Sequence, residues 1–159
     1  MKKASIIFSL LVTGFYASQA QGFTLKSNEL GGQATQKQFA SAFGCHGQNL
    51  SPQLSWENAP AGTQSFAVTI YDKDAPTGSG FWHWVIFNIP AGTAELKTGA
   101  GDVSKGLAPE GSIQINNDGG MPGYVGPCPP TGAPHEYLIT VFALKTKLPL
   151  DKTATPAYV

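Results

Sequence analysis

The 159-residue sequence contains no arginine and few charged residues of any kind. Its ten cations are all lysine and balance ten acidic residues, so the formal net charge is zero and charged residues make up only 13%. Because nucleic-acid binding depends on clustered lysine and arginine side chains that neutralise phosphates, this composition excludes a nucleic-acid partner. The chain also lacks the planar guanidinium that holds a phosphate group at two points.

Long hydrophobic runs are scarce too, and the clearest one lies at the N-terminus. Two lysines, Lys2 and Lys3, precede a largely apolar run over residues 4–16, and small residues occupy the positions before a cleavage site after Ala20. A membrane-spanning helix needs about 18–20 apolar residues, which this run does not reach. The pattern predicts a signal peptide over residues 1–20, no membrane span, and a mature domain over residues 21–159 that is periplasmic or secreted.

Cysteine is equally scarce, since Cys45 and Cys128 are the only two. An even pair in an exported chain favours a disulfide, because oxidising compartments preserve such bonds. The alternatives are two free thiols, or a metal site formed by both cysteines, His46 and a distant histidine, although no CxxC or HxxxH spacing supports the metal. A disulfide would close a loop of roughly 80 residues and stabilise the fold by about 4.5 kcal/mol on the chain-entropy model.

Glycine and proline, by contrast, are abundant and separate short segments that have strand character. The clearest strand predictions are residues 65–72, 82–89 and 135–144, which are rich in β-branched and aromatic residues. Weaker candidates lie at residues 23–25, 53–56 and 113–116. Helical periodicity is poor throughout, and its best window is residues 35–43. Short strands between turns are typical of an antiparallel β-sandwich.

One segment concentrates these turn-forming residues. Residues 119–134 contain five glycines and five prolines and lie directly before the longest predicted strand. A long segment without secondary structure is usually functional or disordered, and the prolines favour order because they restrict the unfolded chain. We expect an ordered, functional loop; a plain surface loop is the alternative.

Strand alternation places polar side chains on apolar faces at three strand ends. Asp72 lies on the same predicted strand face as Phe66, Val68 and Ile70. His83 lies on the same face as Val85, Phe87 and Ile89. His135 and Tyr137 lie on the same face as Ile139 and Val141. Buried polar groups need partners, and each could be satisfied separately by the backbone. Their coincidence beside glycine- and proline-rich loops favours a shared polar pocket.

Four motifs carry a resemblance to a known family. They are GQNLSP at residues 47–52, DKDAP at 72–76, GFWHW at 80–84 continuing to Pro90, and GPCPP at 126–130 followed by HEY at 135–137. In this order and spacing, the sequence resembles the phosphatidylethanolamine-binding protein (PEBP) family, also called the Raf-kinase-inhibitor-like family, in its bacterial branch. The resemblance covers about residues 23–159.

The resemblance implies a mainly β sandwich of two antiparallel sheets with few short helices and a small anion pocket at one end. The pocket positions that it implies are Asp72, His83, Pro130, His135 and Tyr137, with Trp84 beside them. Asp74 is either a turn-former or a second pocket carboxylate. Glu136 stands where many members have arginine, and members usually continue into a C-terminal helical segment, so we expect that segment to be missing here.

These residues predict a binding protein without a cofactor or a resident metal. Imidazole groups, the Tyr137 hydroxyl and backbone N–H groups would hold a small anion such as phosphate or phosphorylethanolamine, while Asp72 orients a histidine. Affinity should rise as the histidines protonate near pH 6.5. One alternative is an interaction protein, similar to protease or kinase inhibitors, that acts on a partner through its surface. A hydrolase using His83 and His135 is disfavoured, because no nucleophile or metal motif is present.

Overall fold

The computed structural model describes residues 22–132 and 134–159, so the predicted signal peptide of residues 1–20 lies outside the described residues. Within these described ranges, seven short strands alternate with turns, and helical structure is limited to two 3-10 turns, Val103–Lys105 and Pro156–Tyr158. The strands are β1 (Thr24–Lys26), β2 (Leu54–Glu57), β3 (Ser65–Asp72), β4 (Phe81–Pro90), β5 (Glu95–Leu96), β6 (Ile113–Gln114) and β7 (Tyr137–Leu144). Over these residues, no helix has the length and apolar character needed to cross a membrane.

The strands form two antiparallel sheets, which confirms the predicted fold class. One sheet has the order β1-β2-β5 and the other the order β6-β4-β3-β7. Each predicted strand segment overlaps an observed strand, although β7 starts two residues later than expected and the two-residue β5 was missed. The best helical window, residues 35–43, forms turns instead.

The main hydrophobic core lies between the two sheets. Phe66, Val68 and Ile70 of β3 meet Leu54 and Trp56 of β2 there. A second buried cluster, on the other face of the four-stranded sheet, is centred on strand side chains and is covered by residues from the chain's last segment. Its members include Ala67, Val85, Phe87 and Ile115, with Leu148, Leu150, Ala154 and Val159 packed against them.

Strand β4 does not alternate regularly, so the predicted face shared by His83, Val85, Phe87 and Ile89 is wrong. Val85 and Phe87 belong to the second cluster, whereas Ile89 belongs to the main core. The ladder explains this, because Ile70 pairs with Trp84 while Tyr71 pairs with Trp82, which leaves one extra residue on β4 at position 83. Such a β-bulge re-aims side chains. A second register shift lies between the pairs of Phe66 and Val68, near Asn88, whose φ is 55°.

Candidate functional site

The three polar strand ends meet at one edge of the four-stranded sheet. Strand β3 lies between β4 and β7, and Asp72 at its end pairs with Phe81 on one side and Tyr137 on the other. The bulge at His83 brings that imidazole to the same place, with Nε2 at 4.0 Å from Asp72 Oδ2. Antiparallel pairing therefore assembles side chains that lie 11 to 65 positions apart in the sequence.

Asp72 is the centre of this group. Its side chain is only 5% exposed, and its Oδ2 lies 2.7 Å from Nδ1 of His135. The other carboxylate oxygen accepts the backbone N–H of Asp74 at 2.9 Å. Because a carboxylate is an acceptor, His135 donates its Nδ1 proton, which orients that ring as the sequence had predicted for one of the histidines.

The His83 imidazole is held from the opposite side. Its Nδ1 lies 2.8 Å from the carbonyl oxygen of Val125, and since a carbonyl can only accept, Nδ1 carries the proton. In the neutral ring, Nε2 therefore presents a lone pair towards Asp72. Burial lowers the pKa of His83, against the opposing effects of the Val125 hydrogen bond and the Asp72 charge. The neutral form is thus favoured at neutral pH.

Tyr137 adds a hydroxyl that lacks a partner. Among the residues that the structure describes, no group meets hydrogen-bond geometry with this buried oxygen, although the Asp72 carboxylate lies close enough to act on its pKa. Its ring lies 5.4 Å from that of His83 and 6.4 Å from that of His135, measured between centroids. Burial and the nearby Asp72 charge both raise the pKa of Tyr137, so the hydroxyl stays protonated. A buried, unpaired hydroxyl is a place where a water or ligand would bond.

A cavity of about 220 Å³ opens beside these groups, and four of the predicted site residues line it. They are Asp72, His83, Pro130 and His135. Phe43, Phe81, Gly126 and Cys128 complete much of the wall. His135 also borders a wider groove of about 890 Å³, which Tyr137 and Asp74 line. Trp84 contributes to neither wall, because it is fully buried in the core and donates its Nε1–H to Gln114 Oε1 at 2.7 Å.

Asp74 lies only two positions from Asp72 but has a different environment. Its Oδ2 accepts the backbone N–H of Glu136 at 2.8 Å, and Lys73 Nζ lies 3.0 Å from its Oδ1. These two contacts, the backbone hydrogen bond first, lower the pKa of Asp74. Glu136, at the position where arginine was expected from the resemblance, also pairs with Lys73, at 3.1 Å. Together, Lys73, Asp74 and Glu136 link the start of β7 to the turn after β3.

The predicted disulfide is confirmed between Cys45 and Cys128, which excludes the alternatives of a cysteine metal site and of free thiols. The bond joins residues 83 positions apart and ties the loop around Phe43 to the glycine- and proline-rich segment. Beside it, the Ala40 N–H donates to the Pro127 carbonyl at 2.9 Å. These links hold the cavity wall that faces the sheet.

Asn49 is a positioning residue that sequence reasoning did not single out. Its Oδ1 accepts the Gly126 N–H at 2.8 Å, and its Nδ2 donates to the Tyr124 carbonyl at 3.4 Å. A side chain at Gly126 would collide with the carbonyl oxygen of Gln38, so glycine is required by this close approach. The available signal was the GQNLSP motif, in which Asn49 has a φ of 54°, a left-handed conformation that asparagine tolerates.

The glycine- and proline-rich segment is therefore built into the fold, and its N–H groups are largely committed. Gly123 N–H bonds to Ile115, Val125 N–H to the His83 carbonyl, and Gly126 N–H to Asn49. At these three positions, the backbone donors expected to face an anion stabilise the segment instead. The geometry defines a β-sandwich protein with a small, partly enclosed cavity at one end of the sheet, whose largely apolar wall carries a few buried polar groups. Sites of this class bind small molecules.

Comparisons with known proteins agree with this class and specify the family. Residues 30–159 match the model of the phosphatidylethanolamine-binding protein family. The UPF0098 protein YbcL of Escherichia coli is 46% identical over 99% of this chain and 88% of its own length. YbhB of the same organism is 44% identical over 85% of this chain and 87% of its own.

Solved structures show the same relationship. The crystal structure of E. coli YbcL, described as a new member of the mammalian PEBP family, superposes with a TM-score of 0.82 at 48% identity, covering 86% of this chain and 85% of that one. A PEBP homologue from Chlamydia trachomatis gives 0.70 at 26% identity, covering 86% and 84%. The chain therefore belongs to the PEBP family, in its bacterial branch, and the resemblance read from its motifs is confirmed.

Proposed function

We propose that this protein binds small anionic ligands, such as phosphate or phosphorylated head groups, in the cavity beside Asp72. The observation that carries the proposal is a buried carboxylate flanked by the imidazoles of His83 and His135, all three lining one cavity of about 220 Å³. This volume is below the roughly 300–1,000 Å³ of typical ligand pockets, so the cavity admits only a small molecule. It suits a head group better than an acyl chain.

The histidines supply the charge that an anion needs. When His83 gains a proton on Nε2, that atom changes from an acceptor to a donor and the cavity gains one positive charge. Because burial lowers the pKa of His83, this ring protonates at a lower pH than an ordinary histidine, whose pKa is about 6.5. Anion affinity should therefore rise as the pH falls, and Tyr137 adds a hydroxyl donor close to both rings.

Titration of the protein with phosphorylethanolamine, followed by NMR at about pH 5.5 and about pH 8, tests this proposal. We expect binding about tenfold tighter at the lower pH, which corresponds to roughly 1.4 kcal/mol. His83→Ala should weaken binding and reduce its pH dependence, whereas His46→Ala, at an exposed histidine, should leave both unchanged. Equal affinity at the two pH values, or no effect of His83→Ala, would contradict the proposal.

We extend the proposal to export of the protein before it acts. Support comes from the N-terminal pattern of residues 1–20, from the disulfide, and from a Mycobacterium tuberculosis protein named as a lipoprotein, LppC. LppC is 37% identical over 71% of this chain and 52% of its own length. Fractionation of the expressing cell, with mass spectrometry of the purified N-terminus, should find a periplasmic or secreted chain that starts after Ala20.

A second candidate role is the regulation of a partner protein, and the exposed Phe43 favours it. This side chain lines the cavity and is 61% exposed, so a partner covering the opening would contact it. Co-purification from the exported fraction should recover a partner with wild type but less of it with Phe43→Ser. The double variant His83→Ala/His135→Ala serves as the comparison: loss with this variant too would make the cavity part of the interface.

A further inference from the structure

The polar wall of the cavity is rich in hydrogen-bond acceptors. Asp72 Oδ2 and, in the neutral ring, His83 Nε2 lie 4.0 Å apart, which is too far for a direct hydrogen bond and close enough for one small donor to reach either atom. The Val125 carbonyl holds the proton of His83 on the far nitrogen, so Nε2 cannot donate until the ring is charged. Both side chains are buried, with exposed fractions of 5% and 7%.

Three donors close to these acceptors are already committed. The Gly126 N–H bonds to Asn49 Oδ1, and the Thr77 hydroxyl donates to the Gly80 carbonyl. His135 uses its Nδ1 proton on Asp72. An anion without any proton would therefore bring its own negative oxygens against two acceptors, an arrangement that leaves acceptors unsatisfied and repels like charge.

We propose that this cavity selects oxyanions that carry a proton, namely inorganic phosphate and protonated phosphate monoesters, over fully ionised sulfate and over phosphodiesters. A P–OH group donates to Asp72 Oδ2 or to His83 Nε2, while a remaining oxygen accepts from the Tyr137 hydroxyl, which has no partner among the described residues. This inference rests on the proposed function and deepens it, because it defines the ligand class by a proton that the ligand itself supplies.

The proposed selectivity distinguishes two ligands that both contain a phosphorylated ethanolamine group. The head group of a phospholipid is a phosphodiester and has no P–OH, whereas free phosphorylethanolamine is a monoester with a second pKa of about 6. Inorganic phosphate keeps at least one proton from acid to mildly alkaline pH, and sulfate carries none over that range. The cavity should therefore favour a free phosphorylated metabolite over the intact lipid head group.

The charged and titratable groups around the cavity come from three strands and their loops. Asp72 belongs to β3, His83 to β4, Tyr137 to β7 and His135 to the loop before β7. Two more carboxylates act on the histidines from nearby, Asp74 on His135 and Asp118 on His83. Their negative charge opposes a proton-free anion still further. Once His83 is protonated, its Nε2 becomes a donor and the selectivity should shrink.

Isothermal titration of the folded protein with four ligands tests the inference. At about pH 7, inorganic phosphate should bind about tenfold more tightly than sulfate, which corresponds to roughly 1.4 kcal/mol. At about pH 5.5, phosphorylethanolamine should bind more tightly than glycerophosphorylethanolamine, which has the same ammonium group but is a diester. At about pH 8, the monoester has lost its proton and this preference should disappear, while phosphate keeps its preference over sulfate.

Asp72→Asn supplies the matched variant, because its amide can donate to a proton-free oxygen. Sulfate affinity should rise towards that of phosphate, whereas Asp151→Asn, at an exposed aspartate that lines neither the cavity nor the groove, should leave the ratio unchanged. If Asp72→Asn does not fold, the wild-type ligand series decides by itself. Equal binding of all four ligands would overturn this inference and leave the proposed function standing; no binding of any ligand at any pH would overturn the proposed function.

Discussion

The two walls of the cavity are held by different means. The sheet wall carries Asp72 and His83, whose backbones are fixed by the ladders of β3 with β4 and β7. The opposite wall, which we call the loop wall, consists of Phe43 and residues 126–130 and has no strand pairing; it is held by the disulfide, by Asn49 and by the contact of Ala40 with Pro127. The sheet wall supplies the chemistry, while the loop wall encloses it.

Loss of the disulfide should destabilise the loop wall, and we expect it to lower the free energy of unfolding more than any other change considered below. Reduction, or the double variant Cys45→Ser/Cys128→Ser, should lower the free energy of unfolding by about 4.5 kcal/mol, because the bond closes a long loop in the unfolded chain. Urea denaturation of the oxidised and reduced protein measures this.

Hydrogen exchange on the same samples shows which of the two walls depends on the disulfide. Amide hydrogen exchange in the reduced protein should accelerate at residues 40–49 and 124–128 more than in the β3–β4 ladder. Uniform acceleration across both regions would contradict the separation of the two walls.

A smaller effect is expected from the asparagine that holds the loop wall. Asn49→Ala removes the acceptor for the Gly126 N–H and places alanine in a left-handed conformation, so the free energy of unfolding should fall by about 2 kcal/mol. Asn49→Asp is the matched control, because it keeps an oxygen acceptor and should lose less than half as much. An equal loss of unfolding free energy in both variants would mean that the hydrogen bond from Gly126 N–H does not account for the stabilisation by Asn49.

The smallest effect concerns the sheet wall and depends on pH. Because burial lowers the pKa of His83 in the folded state, the unfolded chain binds more protons as the pH falls below about 6.5, and stability should decrease there. This histidine contributes a slope of at most about 1.4 kcal/mol per pH unit. Thermal or urea unfolding in phosphate-free buffer should show a flatter profile for His83→Gln than for wild type, while His46→Gln should follow wild type.

The strands themselves were predictable because their sequence pattern is local. Residues 65–72 alternate cleanly, and β3 has the predicted bounds; its terminal carboxylate therefore lies on the main-core side, as alternation requires. The pairing of Asp72 with Tyr137 follows from antiparallel neighbours. Two of the three polar strand ends thus came together for the reason given by strand parity.

The third strand end came to the site for a different reason. Strict alternation from Val85 and Phe87 would point His83 towards the second cluster, away from Asp72. The bulge reverses this, and a bulge depends on how two strands align across the sheet, which no window of β4 reveals. The expected pocket was correct in its location and wrong in the alternation used to place His83.

The different environments of Asp72 and Asp74 could not be predicted from the sequence either. Both are aspartates in one turn motif, yet one is buried against two histidines and the other pairs with Lys73 at the surface. Their separation depends on the positions of His135 and Glu136, which approach from more than 60 residues away.

The amino-acid sequence by itself determined the β-sandwich, the disulfide partners, the absence of arginine and the identity of the polar groups, because these follow from composition and from patterns within short segments. Only the tertiary structure decided which of these groups share a cavity, which nitrogen of His83 carries the proton, and which backbone donors are already used. Those properties depend on the relative positions of strands and loops, and long-range pairing alone sets such positions.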